Sequence, residues 1–340
     1  MRAIAFNKPL PIDDADALRD VDLPRPQASG RDLLVEVRAV SVNPVDAKVR
    51  RSRRAAGPGE WHVAGYDAAG VVVETGQDVT RFRPGDEVFY AGAIGRQGTN
   101  AEFHLVDERI VGHKPASLDW AEAAAVPLTA ITAWETLFDR LDVRKPVPGA
   151  TPTLLIVGAA GGVGSIAIQL ARKLTDLTVI ATASRPESAD WARNLGAHHV
   201  VDHSSALAEQ IAALDIGAPG FVFLTTHAAH YLPIAAALIA PQGRVAVIDD
   251  PETLNAMPLK GKSASLHWEM MFTRSSLETA DMGEQGALLD QVARLIDAGT
   301  LRTTVGGHYG AINAANLRRA HALLESGKAR GKIVLEGFLN

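Results

Sequence analysis

The stretch that most constrains this 340-residue chain begins at Thr153. Thr153–Val157 reads Thr-Leu-Leu-Ile-Val, an apolar run too short for a helix. It meets Gly158-Ala159-Ala160-Gly161-Gly162-Val163-Gly164, after which helical spacing sets in over Ser165–Leu174. The glycines of such a strand-to-helix turn let backbone N–H groups approach a pyrophosphate at the positive end of the helix, and Gly164 lets that helix pack closely on the strand. Read as G-x-G-x-x-G, the pattern starts one residue late, with Ala159 at the first glycine position. Alone it would be no more than a glycine-rich turn. The strand before it and the helix after it supply the context that a dinucleotide site requires.

The surrounding sequence repeats the alternation. Leu177–Ala183, His199–Asp202, Phe221–Leu224 and Arg244–Ile248 read as short strands, with helices expected over Ser205–Leu214 and Ala229–Ala240. Strands alternating with helices imply a parallel sheet covered on both faces. The chain up to about Ala125 is different: Arg2–Phe6, Asp32–Ser41, Gly70–Glu74, Glu87–Tyr90 and Ala101–Leu105 are strands cut by Gly, Pro, Asn and Asp. That pattern predicts an irregular β-barrel. Pro146, Pro148 and Pro152 stiffen the join, and two helices (Gln285–Ala298, Asn313–Ser326) and a strand (Lys332–Leu335) follow the alternating region. The expected class is α/β with two domains.

The end of the second strand of the alternating region bears on cofactor choice. An acidic residue there would hold the ribose hydroxyls and disfavour a phosphate. The chain reads Thr182-Ala183-Ser184-Arg185 instead. A hydroxyl and a guanidinium suit a 2′-phosphate, and so NADPH; the alternative is a plain surface arginine.

Composition narrows the chemistry. No cysteine is present, which removes disulfides, thiol nucleophiles and thiolate zinc sites. A net charge of -5 offers no general attraction for nucleic acid or an anionic membrane. No apolar stretch approaches the roughly 20 residues a membrane helix needs. Asp13, Asp14 and Asp16 interrupt the start, where a signal peptide would be apolar, so a cytoplasmic location is expected.

Several segments together resemble the medium-chain dehydrogenase/reductase superfamily. They are Val42-Asn43-Pro44-Val45-Asp46, Gly65-Tyr66-Asp67-Ala68-Ala69-Gly70-Val71-Val72, Arg83-Pro84-Gly85-Asp86-Glu87-Val88, Pro127-Leu128-Thr129-Ala130 and the glycine turn. In detail the chain is similar to the quinone oxidoreductase (zeta-crystallin-like) branch and its "zinc-type alcohol dehydrogenase-like" subgroup. The resemblance implies a GroES-like catalytic domain formed by residues 1–126 and 275–340. A Rossmann NADPH-binding domain, residues 127–274, would be inserted between them, with the active site in the cleft. Zinc-dependent relatives carry Cys near position 43 and a His-Glu pair at 66 and 67; this chain has Asn43, Tyr66 and Asp67. No metal site is expected, and His198, His199 and His203 read as surface or adenosine-side residues.

The resemblance also assigns roles. Asn43, Asp46 and Tyr66 become the catalytic candidates, each with a plainer alternative: Asn43 as a turn residue before Pro44, Asp46 as a loop anchor, Tyr66 as cleft wall. Lys48 is a solvated lysine or a charge near the acceptor. Thr129, Ala160, Gly161, Gly162, Val163, Gly164, Ser184, Arg185, His203, Thr225, Ile248 and Phe272 are the cofactor candidates, although Thr129 could equally cap a helix and Phe272 could be core. Arg50, Arg51, Arg53 and Arg54, followed by Gly57-Pro58-Gly59, read as a mobile basic loop, with Trp61 and His62 as pocket lining. The expected activity is zinc-independent hydride transfer from NADPH to a quinone. The alternatives are reduction of an enone or alkenal, or an NADPH-binding structural or sensing role. The expected assembly is a homodimer.

Overall fold

The computed structural model describes residues 1–53, 57 and 59–338. Arg54 and Pro58 of the expected basic loop lie outside the described residues. Two compact units emerge: Met1–Ile131 with Phe272–Asn340, and Thr132–Met271.

The first unit opens with β1 (Arg2–Phe6), β2 (Arg19–Asp22), β3 (Asp32–Val42), α1 (Pro44–Ser52), β4 (His62–Val63), β5 (Ala68–Thr75), β6 (Glu87–Tyr90), β7 (Phe103–Asp107) and β8 (Val111–His113). Helices α2 (Trp120–Ala124) and α3 (Pro127–Trp134) follow, and α3 carries the chain into the second unit. The long strand β3 organises the first unit. One of its edges pairs with β5; along the other, β7 takes Asp32–Glu36, leaving Ala39–Val42 for a strand from the far end of the chain.

The second unit contains β9 (Thr151–Val157), α4 (Gly162–Leu174), β10 (Thr178–Thr182), α5 (Pro186–Leu195), β11 (His199–Val201), α6 (Leu207–Ala212), β12 (Pro219–Leu224), α7 (Ala228–Leu238), β13 (Arg244–Val247) and β14 (Ser265–Trp268). Its six strands lie in the order β11-β10-β9-β12-β13-β14, with every neighbouring pair parallel. This is the doubly wound Rossmann order. The strands are apolar on both faces because helices cover both. Leu155, Val157, Val222, Leu224, Val245 and Val247 pack with Leu232 and Ala235 of α7, for example.

The chain then returns to the first unit with α8 (Thr273–Ser276), α9 (Gly283–Asp297), β15 (Val305–His308), α10 (Ala314–Glu325) and β16 (Lys332–Glu336). β16 fills the free stretch of β3, setting Ile333 opposite Val42.

The basic run is not a loop over Arg50 and Arg51. Both lie in the last turn of α1, a helix that Pro44 opens at its first position. Arg50 is fully buried, donating to the Leu10 carbonyl and pairing with Glu325 of α10. A carboxylate 275 residues away neutralises it, which local sequence cannot reveal. Among the described residues no helix is long and apolar enough to cross a membrane.

Candidate active site

In the second unit the candidate cofactor residues gather at the carboxyl ends of neighbouring strands. The glycine turn follows β9, Ser184 and Arg185 follow β10, His203 follows β11, Thr225 follows β12 and Ile248 follows β13. In an open parallel sheet this edge is where ligands bind.

The turn needs its glycines for separate reasons. Gly158 has φ +78°, and a Cβ there would lie 2.4 Å from Thr225 Oγ1. It therefore supplies the tight turn, one residue earlier than the G-x-G pattern suggests. A Cβ on Gly164 would lie 2.5 Å from the Ala159 Cα, so the close packing of α4 requires glycine. Gly161 caps α4 with no side chain of its own, leaving N–H groups of the first turn open to an anion. Thr225 Oγ1 donates to the Val157 carbonyl at 2.7 Å, pinning the base of the turn. Ile248 continues the sheet through its backbone, 3.4 Å from the Leu224 carbonyl.

Ser184 is exposed and Arg185 half-exposed. Arg185 occupies the N-cap of α5, with Pro186 at the first helical position. His203 Nδ1 lies 3.1 Å from Thr182 Oγ1, and the same hydroxyl accepts the Gly158 N–H at 3.1 Å. His198 has a structural task, its Nδ1 accepting the Val179 N–H. No group of three potential metal ligands occurs among the described residues.

The first unit brings Asn43, Asp46 and Tyr66 together around a residue not among the catalytic candidates, Asp67. Its carboxylate is fully buried and receives four donors. Ser41 Oγ (2.9 Å), Asn43 Nδ2 (2.8 Å) and Lys332 Nζ (3.0 Å) reach Oδ2, and the Leu128 N–H at the start of α3 reaches Oδ1 at 2.8 Å. Lys332 is 2% exposed and also donates to Asn43 Oδ1 and the Val42 carbonyl. Strand pairing explains the convergence: β16 lies beside Val42, while β5 and the residue before it lie beside Ser41. Lys332 escaped the sequence reading. Its one signal was a lysine heading an otherwise apolar strand.

The Asn43 amide is thus committed inward, to Asp67 and to the Tyr66 carbonyl at 3.3 Å. Its backbone N–H donates to Asp46 Oδ2 at 2.8 Å, fixing the start of α1. The other Asp46 oxygen and the Tyr66 hydroxyl are both buried and have no hydrogen-bond partner among the described residues. Burial pushes the Asp46 carboxyl up to about 7, against the pull of the Asn43 N–H and Lys332. The Tyr66 hydroxyl is raised by burial and then by Asp46, so it stays a phenol. Burial also raises Asp67, opposed by Lys332 and Asn43; four donors on an acceptor-only group suit its ionised form.

The Tyr66 ring meets Phe272 edge-on, with centroids 5.3 Å apart. Thr129 Oγ1 donates to the Val126 carbonyl. Lys48 is half-buried on α1. Trp61 is half-buried, and His62 is buried against Phe6, its imidazole pushed down to about 4 by burial and then Arg53.

Residues 29–129 match the alcohol dehydrogenase GroES-like domain family, and residues 195–335 match the zinc-binding dehydrogenase family. A Staphylococcus aureus zinc-type alcohol dehydrogenase-like protein is 38% identical over 98% of this chain and 99% of its own. The human mitochondrial NAD(P)H oxidoreductase RTN4IP1 is 31% identical, over 89% of this chain and 81% of its own. A Rhizobium etli protein described as a zinc-dependent alcohol dehydrogenase has a crystal structure with TM-score 0.97 and 64% identity, covering 100% of this chain and 99% of that one. A mycobacterial protein complexed with NADPH superposes with TM-score 0.81 at 27% identity, covering 99% of this chain and 100% of that one. The quinone oxidoreductase of Coxiella burnetii superposes with TM-score 0.79 at 25% identity, covering 99% of both chains. With these matches running through both units, the chain belongs to the zinc-type alcohol dehydrogenase-like proteins of the medium-chain dehydrogenase/reductase superfamily, a superfamily of oxidoreductases.

Proposed function

We propose that this chain is a zinc-independent, NADPH-dependent reductase of quinones. The observation that carries the reading is the closed hydrogen-bond knot at Asp67. Position 67 is where zinc-dependent relatives place a glutamate, yet here the carboxylate is taken up by four protein donors, one of them the Lys332 ammonium. Asn43 and Tyr66, at the other two positions, offer an inward-turned amide and a phenol in place of thiolate and imidazole. These residues do not fit a tetrahedral zinc ion. Without a metal to polarise an alkoxide, alcohol oxidation loses its main electrophile, whereas an electrophilic acceptor needs positioning more than activation.

The second unit fits a dinucleotide. The open N–H groups at the start of α4 would hold a pyrophosphate, and Ser184 and Arg185 a 2′-phosphate. NADPH supplies a hydride when bound; with one proton it converts a quinone to the hydroquinone and leaves NADP⁺. The NADPH complex of the mycobacterial neighbour, the human NAD(P)H oxidoreductase and the Coxiella quinone oxidoreductase support the reading.

One observation favours a second reading, the reduction of an enone or alkenal. There the carbon next to the carbonyl must receive a proton, and the first unit holds buried proton-bearing groups, Asp46 near neutrality and the Tyr66 phenol. NADPH consumption should be followed against quinones, enones and simple aldehydes with a chelator present, together with elemental analysis for zinc. Turnover of quinones in the chelator is the expected result. One zinc per chain, lost together with activity, would overturn the proposal, as would turnover confined to simple alcohols with NADP⁺.

A further inference from the structure

We infer that the acceptor this chain reduces carries a carboxylate, and that the guanidinium of Arg53 in the first unit binds it while the quinone ring takes the hydride. The inference rests on the reading of this chain as a quinone reductase and names the kind of quinone it takes.

Helix α1 is clamped at both ends. At its start the Asn43 N–H donates to Asp46 Oδ2 at 2.8 Å. Near its end Arg50 donates to the Leu10 carbonyl and pairs with Glu325. Arg53 is the C-cap, and its backbone N–H donates to the Val49 carbonyl at 2.9 Å. One helix therefore holds Arg53 in register with Asn43 and Asp46. The side chain is fixed as well. Arg53 Nη1 lies 3.2 Å from His62 Nε2, and His62 is buried, edge-on to Phe6, its strand partner in β1. A guanidinium only donates, so Nε2 accepts and the neutral ring keeps its proton on Nδ1. Burial and then Arg53 push that imidazole down to about 4, so it remains an acceptor at neutral pH.

What this guanidinium lacks is a counter-charge. Arg50 and Arg51 on the same helix both face Glu325. Among the described residues no carboxylate pairs with Arg53. The nearby acids are committed or drained: Asp67 is taken up by Lys332 and three neutral donors, and burial pushes Asp46 up to about 7. Arg53 is half-buried, so part of its hydration is already lost. Its remaining N–H groups form a planar fork that matches the two oxygens of a carboxylate. The charge also reaches the Tyr66 hydroxyl, where it opposes the upward pull of burial and Asp46. An acceptor lying against Tyr66 therefore brings its ring substituent under the same field. A neutral substituent leaves the guanidinium as it was, whereas a carboxylate supplies the missing partner.

The test is steady-state NADPH oxidation by the full chain with a matched pair of acceptors, a benzoquinone bearing a short carboxyalkyl side chain and the methyl ester of the same compound. The free acid should have the higher kcat/KM by roughly 10-fold, the range of one hydrogen bond to a charged group, with the difference lying mainly in KM. High salt should narrow the gap. In Arg53→Gln the acid-to-ester ratio should fall to about one, and Arg53→Lys, which keeps the charge and loses the fork, should retain part of it. Equal kcat/KM for acid and ester in the wild type, a comparison that needs no variant, would overturn the inference and leave the quinone-reductase reading intact. A wild-type preference that persists in an Arg53→Gln protein with unchanged circular dichroism would overturn the role of Arg53. Turnover of neither compound, nor of any other quinone, would overturn the reductase reading and this inference with it.

Discussion

Replacing Lys332 by methionine isolates the element on which the zinc-free reading depends. Methionine keeps most of the aliphatic length and removes the charge and the donors. The wild-type ammonium is 2% exposed and serves three acceptors, Asp67 Oδ2, Asn43 Oδ1 and the Val42 carbonyl. Its loss leaves a fully buried carboxylate with neutral donors only. Removing one partner of a buried ion pair costs about 3–5 kcal/mol, a large share of the roughly 5–15 kcal/mol that a domain has. Adding Asp67→Asn removes the stranded charge and should recover most of that, leaving about 1–2 kcal/mol for hydrogen bonds no longer made. Urea unfolding followed by circular dichroism measures both proteins. The single variant has a pH signature as well. Without its counter-charge the Asp67 carboxyl rises further above its unfolded value, so the native state binds the extra proton. Stability should then increase as pH falls from 7 toward 5, relative to wild type. A loss under about 1 kcal/mol for Lys332→Met, or no rescue by Asp67→Asn, would refute the account of the knot.

Arg185→Ala should weaken NADPH about 10- to 150-fold, the range of one charge-assisted hydrogen bond, and leave NADH nearly unchanged in a binding titration; equal weakening of both would remove the phosphate assignment. His321 is fully buried on α10, neither ring nitrogen has a hydrogen-bond partner among the described residues, and burial, then Arg50, pushes its pKa down to about 3. The native imidazole stays neutral while the unfolded one protonates, so stability is lost as pH falls from about 6.5 toward 3. At pH 5 this group alone costs about 2 kcal/mol relative to pH 7, and denaturant unfolding of His321→Leu should show that much less acid sensitivity. β14 is an edge strand of the parallel sheet, and Trp268 at its end is 53% exposed with Met270 just beyond at 49%. Unpaired backbone and apolar side chains together predict a homodimer through this edge, which a monomer by light scattering at micromolar concentration would exclude.

The sequence by itself determined what is written locally. The alternation of short apolar runs with helical spacing predicts the parallel sheet because buried strands must be apolar on both faces. The glycine turn is legible because only glycine tolerates the φ of Gly158 or the approach of α4 at Gly164. Signals for α5 are also present, Pro186 at its first position and the left-handed Gly196 at its end, although the alternation alone did not draw attention to them. Tertiary structure decided the polar centre of the first unit. Ser41, Asn43, Asp67, Leu128 and Lys332 meet only because β3 is flanked by β5 and by β16 from the opposite end of the chain. Whether Asn43 reaches outward or turns inward, and whether Arg50 is a solvated charge or a buried one, depends on partners as distant as Lys332 and Glu325. Burial and charge neutralisation are properties of those long-range meetings, and no periodicity along the chain encodes them.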